Sequence, residues 1–422
     1  MVFTRHRFVA FAIFALVPLA SLRAAGEEPA SAPITRAQAA ELARARHIEV
    51  RVAHQELAAA RARRLQADGF APIDLLYDFE ESENGNPAQA GNRRYGVEQS
   101  FDWPGKRLHR KRAADARVEL ALAALRRAEM RATAKALKAF DEALLARANE
   151  SLLMQGVNRM EEAVTLSRIR FQGGQGQYLD VLRTQTAYQR LRGEQRAAML
   201  AVRRAERALA AAIGANQVST LTGELALDAP PPADAFLARW QDESPSRVLL
   251  AARNREAEAA TAATRSGRFP DMAIGVQRQQ LGTAGVTTNA WAGGIRLSIP
   301  LPGSDFQRGL EAAARAEEAR ARDTATAMTA NIDKQIRQRL DEADGLFAQA
   351  RDYRDAVLPN AEDQLKAAQQ EYRVRRIDAL NLLDVYNTYL NTQRDYLESL
   401  TRYRSALIDI ETLGEDLWEI TE

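Results

Sequence analysis

The chain states one pattern twice, about 200 residues apart: helix, two short strands, very long helix, tight bend, return helix. Phe70 and Pro72 are echoed by Phe269 and Pro270, Trp103-Pro104-Gly105 by Leu301-Pro302-Gly303, and Asp141-Glu142-Ala143 by Asp341-Glu342-Ala343. The bends align without a gap, residues 171–188 on 372–389, and Gly214 falls close to the position of Gly414. A period of half a protein is a duplication, not a solenoid. Whatever the chain builds, it builds twice.

Residues 35–68 are rich in Ala, Arg, Glu, Gln and Leu, with a narrow apolar stripe through Ala39, Leu42, Ala43, Val50, Leu57 and Ala58, which predicts one amphipathic helix. After Pro72 the period switches to two. Ile73, Leu75, Tyr77 and Phe79 alternate with Asp74, Leu76, Asp78 and Glu80, and Tyr95, Val97, Phe101 and Trp103 alternate with Arg94, Glu98, Ser100 and Asp102. The second copy repeats the alternation with Met272, Ile274 and Val276, then Trp291, Ile295, Leu297 and Ile299. Beyond Gly105 no breaker pair interrupts the helical sequence until about Arg170, a rod of roughly 100 Å at 1.5 Å per residue. Residues 305–371 match it, with Pro359 expected to kink the rod above its bend. The return helices, 179–213 and 379–413, are half as long. Helices 35–68 and 245–266 are expected to supply the missing halves by stacking end to end with them.

The expected divisions are a signal peptide over 1–25, a first repeat over 26–214 with its hairpin at 72–103 and tip at 171–178, and a linker over 215–242. A second repeat covers 243–414, with its hairpin at 270–301 and tip at 372–378, and 415–422 form a tail. The linker, proline-rich around Pro230 to Pro232, is expected to be irregular and to belt the rods at mid-height. The signal peptide is read from Arg5, His6 and Arg7 ahead of an apolar run over 8–20 and small residues at Ala24 and Ala25, a run shorter than the roughly 20 residues of a spanning helix. Export is therefore expected.

Composition narrows the functions. Lys and Arg total 58 against 56 Asp and Glu, so there is no net field for a nucleic acid. The chain has no cysteine, which excludes disulfides, thiolate metal sites and a cysteine-linked lipid anchor. No nucleophile elbow, phosphate loop or zinc-hydrolase motif is present, so neither an enzyme nor a cofactor is expected. His47 and His54, seven apart on one expected helix face, are too few and too far apart for a metal site, and none is expected. The basic run Lys106, Arg107, His109, Arg110, Lys111 and Arg112 fits either contact with lipid phosphates or a solvated helix start.

Four strands of this length and alternation suit an outer-membrane barrel, with Tyr77, Phe79, Tyr95, Phe101, Trp103, Trp291, Ile295 and Leu297 facing lipid; a soluble sandwich gives the same alternation. In lipid, a four-stranded sheet cannot leave its edge N–H and C=O groups unpaired, so the chain must oligomerise. Two copies make an eight-stranded barrel plugged by side chains, and three make twelve strands around a pore. The fold class expected is mainly α with a small β part: a helical barrel of long rods plus four strands per chain, closing a 12-stranded β-barrel as a homotrimer.

Over essentially its whole mature length this layout resembles the TolC-like outer-membrane efflux factors. The hairpin exits Glu98-Gln99-Ser100-Phe101-Asp102-Trp103-Pro104-Gly105-Lys106-Arg107 and Ser298-Ile299-Pro300-Leu301-Pro302-Gly303 resemble the family's heavy-metal branch, of the Czc and Cus type. The resemblance implies a homotrimer in outer-membrane lipid of a Gram-negative bacterium, with a long periplasmic part docking on a periplasmic adaptor (membrane fusion protein) and an inner-membrane pump of the resistance-nodulation-division class. The implied function is a passive exit duct for heavy-metal cations, the alternative being a duct for drugs or for type I protein secretion. A periplasmic adaptor fails to explain the duplication, and a structural coiled coil leaves the strands unexplained.

The family's tip pattern falls on Phe171, Gly174 and Asp180 in the first copy and begins at Tyr372 in the second, where Arg375 stands for the Gly and Asn381 for the Asp. The resemblance thus implies an entrance of Asp384, Asn381, Tyr372, Arg375 and Asp180, and an adaptor-docking tip of Phe171, Gly173, Gly174, Gly176 and Leu179. Three copies of Asp384 would repel one another unless a cation sat among them; a solvated helix Asp is the plain alternative.

Overall fold

The computed structural model describes residues 33–80, 92–218, 220–283, 286–300, 305–413 and 415. The expected signal peptide, the loop of the first hairpin, the exit Leu301-Pro302-Gly303 and the tail from 416 lie outside the described residues.

The first repeat comprises α1 (Arg36–Arg46), α2 (Ile48–Asp68), β1 (Ile73–Glu80), β2 (Asn92–Asp102), α3 (Pro104–Gln172) and α4 (Tyr178–Ala212). After α5 (Ala233–Glu243), the second comprises α6 (Pro245–Ser266), β3 (Asp271–Thr283), β4 (Val286–Ser298), α7 (Asp305–Asp352), a π-turn (Tyr353–Val357), α8 (Leu358–Arg373) and α9 (Ala379–Glu411). Helix α3 runs 69 residues from Pro104, which occupies a first-turn position where its missing N–H costs nothing.

The strands form one antiparallel sheet in the order β1-β2-β3-β4. The β2–β3 pairing, with Val97 opposite Val276, fuses the two repeats. Below the sheet the helices keep the same order, α2 against α3, α3 against α6, and α6 against α7. The upper molecule is therefore a ribbon four elements wide, bounded laterally by β1 with α2 and by β4 with α7. Among the described residues no helix is long and apolar enough to cross a membrane.

The mid-rod core is small-residue packing of Ala132, Ala136, Ala143 and Ala210 around Phe140, Leu209 and Ile213. Alanine faces let rods approach closely, which suits helices without a broad apolar stripe. Ion pairs spaced along the middle of α3 bind the halves of the chain: Arg404 with Asp141 at 2.8 Å and Arg127 with Glu415 at 3.3 Å, both buried, and half-buried Lys138 with Asp409 at 2.6 Å. Glu415 also accepts from the Ser244 and Ser246 hydroxyls and from the Ser246 N–H in the first turn of α6. Burial nevertheless pushes its carboxyl above the usual range, against the pull of those donors and of Arg127.

Two expectations are corrected. Residues 35–68 are not one helix: the chain breaks at His47, whose extended backbone (φ −59°, ψ 140°) ends α1 and caps α2, with Nδ1 accepting from Glu49 N–H at 3.3 Å. His47 and His54 therefore do not share one continuous helix face. The cause is tertiary. Gly214, at φ +66°, brings the end of α4 so close that a Cβ there would stand 2.7 Å from the Arg46 carbonyl oxygen.

Second, the linker is not irregular throughout. Its residues from 233 onward form α5, which ends one residue into the second repeat, because Phe236 and Trp240, one turn apart, bury themselves in the cluster of Ile332, Ile336, Leu340 and Ile410. A parallel bridge between Ile34 and Leu221 ties the linker's start to the rods. The disturbance expected at Pro359 is present, as the π-turn just before it. Leu358 N–H reaches back five residues to the Tyr353 carbonyl, just ahead of the proline that has no N–H to give.

The His47 cap titrates. Burial holds its imidazole below the usual value, opposed by Glu49 and reinforced by Lys135 and Arg131. A depressed histidine stabilises the fold above its unfolded pKa of about 6.5 and loses that contribution as pH falls through the folded value. The protection factor of the Glu49 amide, its exchange rate relative to the intrinsic rate at the same pH, should fall severalfold between pH 7 and pH 5, whereas His47→Asn, a capping residue that does not titrate, should flatten the profile.

Candidate functional site

The two bends lie side by side at the far end of the rods. They are the same turn made from different residues. In the first, Gly174 at φ +71° receives the chain, with Gly174 N–H bonding the Phe171 carbonyl and Gln175 N–H bonding the Arg170 carbonyl. In the second, Arg375 at φ +70° does the same, with Arg375 N–H on Tyr372 and Arg376 N–H on Glu371. Both close as Schellman turns, whose left-handed position favours glycine. Arginine there costs about 1 kcal/mol more.

Tyr372 fixes the relative height of the bends. It is 3% exposed, its hydroxyl is 2.7 Å from Ser167 Oγ, and the Arg170 guanidinium covers its ring at 4.0 Å. Ser167 donates to the Ala163 carbonyl at 2.8 Å, so the Tyr372 hydroxyl donates to Ser167. Thr184 of α4 reaches the same Ser167 oxygen at 3.4 Å. This hydroxyl cluster joins α3, α4 and α8, and Ser167, Thr184 and Arg170 were not among the residues the sequence singled out. Their signal is faint, two hydroxyls on otherwise ordinary helix faces.

The remaining tip residues are dispersed by role. Phe171 and Tyr178 meet as tilted rings with centroids 5.3 Å apart and, with Leu179, stay exposed beside Gly173 and Gly174; Gly176 is half-buried against Arg170. Asp180 sits in the first turn of α4, 3.9 Å from Arg183. Asn381 gives its N–H to the capping carboxylate of Asp378 at 2.9 Å, and Asp384, in the second turn of α9, is exposed and forms no ion pair among the described residues. Among those residues no group of three or more His, Cys, Asp or Glu is placed to hold a metal ion.

At the opposite end, the sheet presents one apolar face. Register puts Ile73, Gln99, Ile274 and Ile295 in one row, Leu75, Val97, Val276 and Gly293 in the next, and Tyr77, Tyr95, Arg278 and Trp291 in a third. Phe101 lies opposite Met272, itself opposite Leu297, and Phe79 closes the upper end; Leu75 is 81% exposed and Trp291 74%. The other face is polar, with Arg296 on Glu98 at 3.0 Å. Below it Trp103 joins β2 to α3, and the basic run is spent on the chain's own acids: Lys106 on Asp271, Arg110 on Asp102, Arg107 and Lys111 on Asp68. Arg107 also covers the Phe70 ring at 4.6 Å. These residues build a collar where rods meet sheet.

Long paired rods carrying a four-stranded sheet with one greasy face define the TolC-like fold. The family model described as outer membrane efflux protein matches residues 39–215, most of the first repeat. No curated protein matches the chain in sequence. Among solved structures, a membrane protein from Pseudomonas aeruginosa is similar at TM-score 0.74 and 18% identity, covering 90% of this chain and 92% of that one. The CmeC outer membrane channel of Campylobacter jejuni is similar at TM-score 0.74 and 13% identity, covering 93% and 90%. CusC, studied for its folding and transmembrane channel formation, is similar at TM-score 0.73 and 16% identity, covering 90% and 92%.

Proposed function

We propose that three copies of this chain form a passive exit duct through the outer membrane, receiving cargo from an inner-membrane pump by way of a periplasmic adaptor. The observation that carries this reading is the ribbon with two open sides. Among the described residues, strands β1 and β4 each lack a partner on one flank, α2 and α7 lie beneath them, and large apolar side chains are exposed on both, Leu65 on α2 and Phe306 and Leu310 on α7. Joining β4 and α7 of one copy to β1 and α2 of the next satisfies the edges, covers those side chains and closes twelve strands as a ring of three. The match to the efflux family model supports the role.

The cargo that fits the hairpin exits, residues 98–107 and 298–303, is a heavy-metal cation. The gate is the rod tips: Tyr372 on Ser167 holds neighbouring bends together, and Asp384 of three copies sets the ion preference of the closed mouth. The test is extraction in detergent as a trimer from outer membranes, followed by single-channel recording. Wild type should conduct cations preferentially, and Asp384→Ala should reduce that preference severalfold. Recovery as a soluble monomer would defeat the duct. A deletion strain screened against Zn, Co, Cd, Cu and Ag salts beside drugs and dyes decides the cargo.

A further inference from the structure

The two bends share one backbone but not one surface. Gln172-Gly173-Gly174-Gln175 in the first corresponds to Arg373-Val374-Arg375-Arg376 in the second. A neutral, small-residue turn is thus set beside a cationic, bulky one. Arg373, Val374, Arg375 and Arg376 are all exposed, Val374 at 63%, and the three guanidinium groups form no hydrogen bond or ion pair among the described residues. Of the nearby acids, Asp378 is engaged in capping α9, which leaves Glu371. Arg375 moreover holds the left-handed conformation that glycine holds in the other copy. Among the described residues its guanidinium forms no hydrogen bond or ion pair to offset that cost.

We propose that the second bend is a carboxylate-recognising docking point, at which Arg375 and Arg376 pair with acidic side chains on the loop of a partner protein while Val374 and Leu380 contact its apolar residues. This rests on the reading that the tips face a periplasmic partner. Guanidinium forks bind carboxylates in two-point fashion, and a single conformation of the turn presents two of them in succession. A protein fits better than an anionic membrane surface. Tyr372 against Ser167 holds both bends at one height, so a flat membrane would meet both, yet the turn 172–175 carries no cation and the turn 373–376 carries three. In a ring of three copies, cationic and neutral bends alternate, and a partner docking there must present acidic and uncharged loops in the same alternation.

The experiment uses the full-length trimer with the adaptor recovered alongside it by cross-linking in cells, then purified. Arg375→Glu with Arg376→Glu should weaken adaptor binding at least tenfold, Arg375→Lys with Arg376→Lys should lose less, and wild-type binding should fall steeply with salt. Arg375→Gly, which relaxes the turn, keeps the test clear of folding failure and should weaken binding while raising heat stability. Reversing the adaptor's loop acids to lysine should restore binding to the Glu variant. Unchanged binding by the double-Glu variant overturns the docking point and leaves the duct intact. Arginine-dependent binding to vesicles of phosphatidylglycerol and phosphatidylethanolamine, with adaptor affinity unaltered, overturns it in favour of a membrane. Failure of the wild-type chain to recover any adaptor overturns the tripartite reading itself, and this inference with it.

Discussion

Asp141→Ala should lower the unfolding free energy by about 3–5 kcal/mol, more than any other single truncation at mid-rod. Asp141 and Arg404 have side chains 3% and 6% exposed and are joined by two hydrogen bonds of 2.8 and 3.1 Å. The guanidinium's other contact is the Ala226 carbonyl at 2.9 Å, so removing the carboxylate strands a positive charge in the alanine-rich interior with one neutral acceptor. The duplication supplies an internal control. Asp341 occupies the corresponding place in the second copy but is exposed, and Asp341→Ala should stay within about 0.5 kcal/mol of wild type. Replacing the pair together, Asp141→Leu with Arg404→Met, should recover most of the loss, since no charge is then left buried. Urea midpoints of the detergent-solubilised protein measure all three. A loss below about 1 kcal/mol for Asp141→Ala would show that water reaches the guanidinium once the carboxylate is gone.

The rods and strands were legible because their signals are local. An alternation such as Ile73, Leu75, Tyr77 and Phe79 has one reading at period two, and a run without a breaker pair such as 106–170 has one reading as a rod. The corrected places are those where distant contacts decide. Nothing within 35–68 marks a break at His47; the cause, Gly214, lies at the far end of α4. Trp240 makes a helix of part of a proline-rich linker by having Ile332, Ile336 and Leu340 to bury against, and those residues are nearly 100 positions away. At the tips, the aligned bends were visible as a pattern, but the partnership of Tyr372 with Ser167 spans 205 residues and two unremarkable helix faces. The fate of the basic run after Gly105 was equally hidden, because its acidic partners Asp68, Asp102 and Asp271 come from three separate elements.

Ile295→Arg should destabilise the assembled trimer by about 2–4 kcal/mol per chain, the cost of placing an arginine against hydrocarbon on the outer face of a barrel. Ile295 is 73% exposed on the chain, in a row with Ile73, Gln99 and Ile274. On a water-facing sheet so exposed a position would accept arginine with little change, within about 0.5 kcal/mol. The size of the effect therefore reports the solvent. Gln277→Arg, on the polar face beside Gly96 and Ala292, provides the contrast, because a wet lumen accommodates a charge. The measurement is the temperature at which the trimer dissociates in a mild detergent and, separately, the yield of trimer in outer-membrane fractions. If Ile295→Arg lowers both while Gln277→Arg lowers neither, the apolar rows of the sheet meet lipid and the four strands are a third of a barrel. Equal tolerance of the two substitutions would place the sheet in water, and the open edges of β1 and β4 would then need some occupant other than further copies in a membrane.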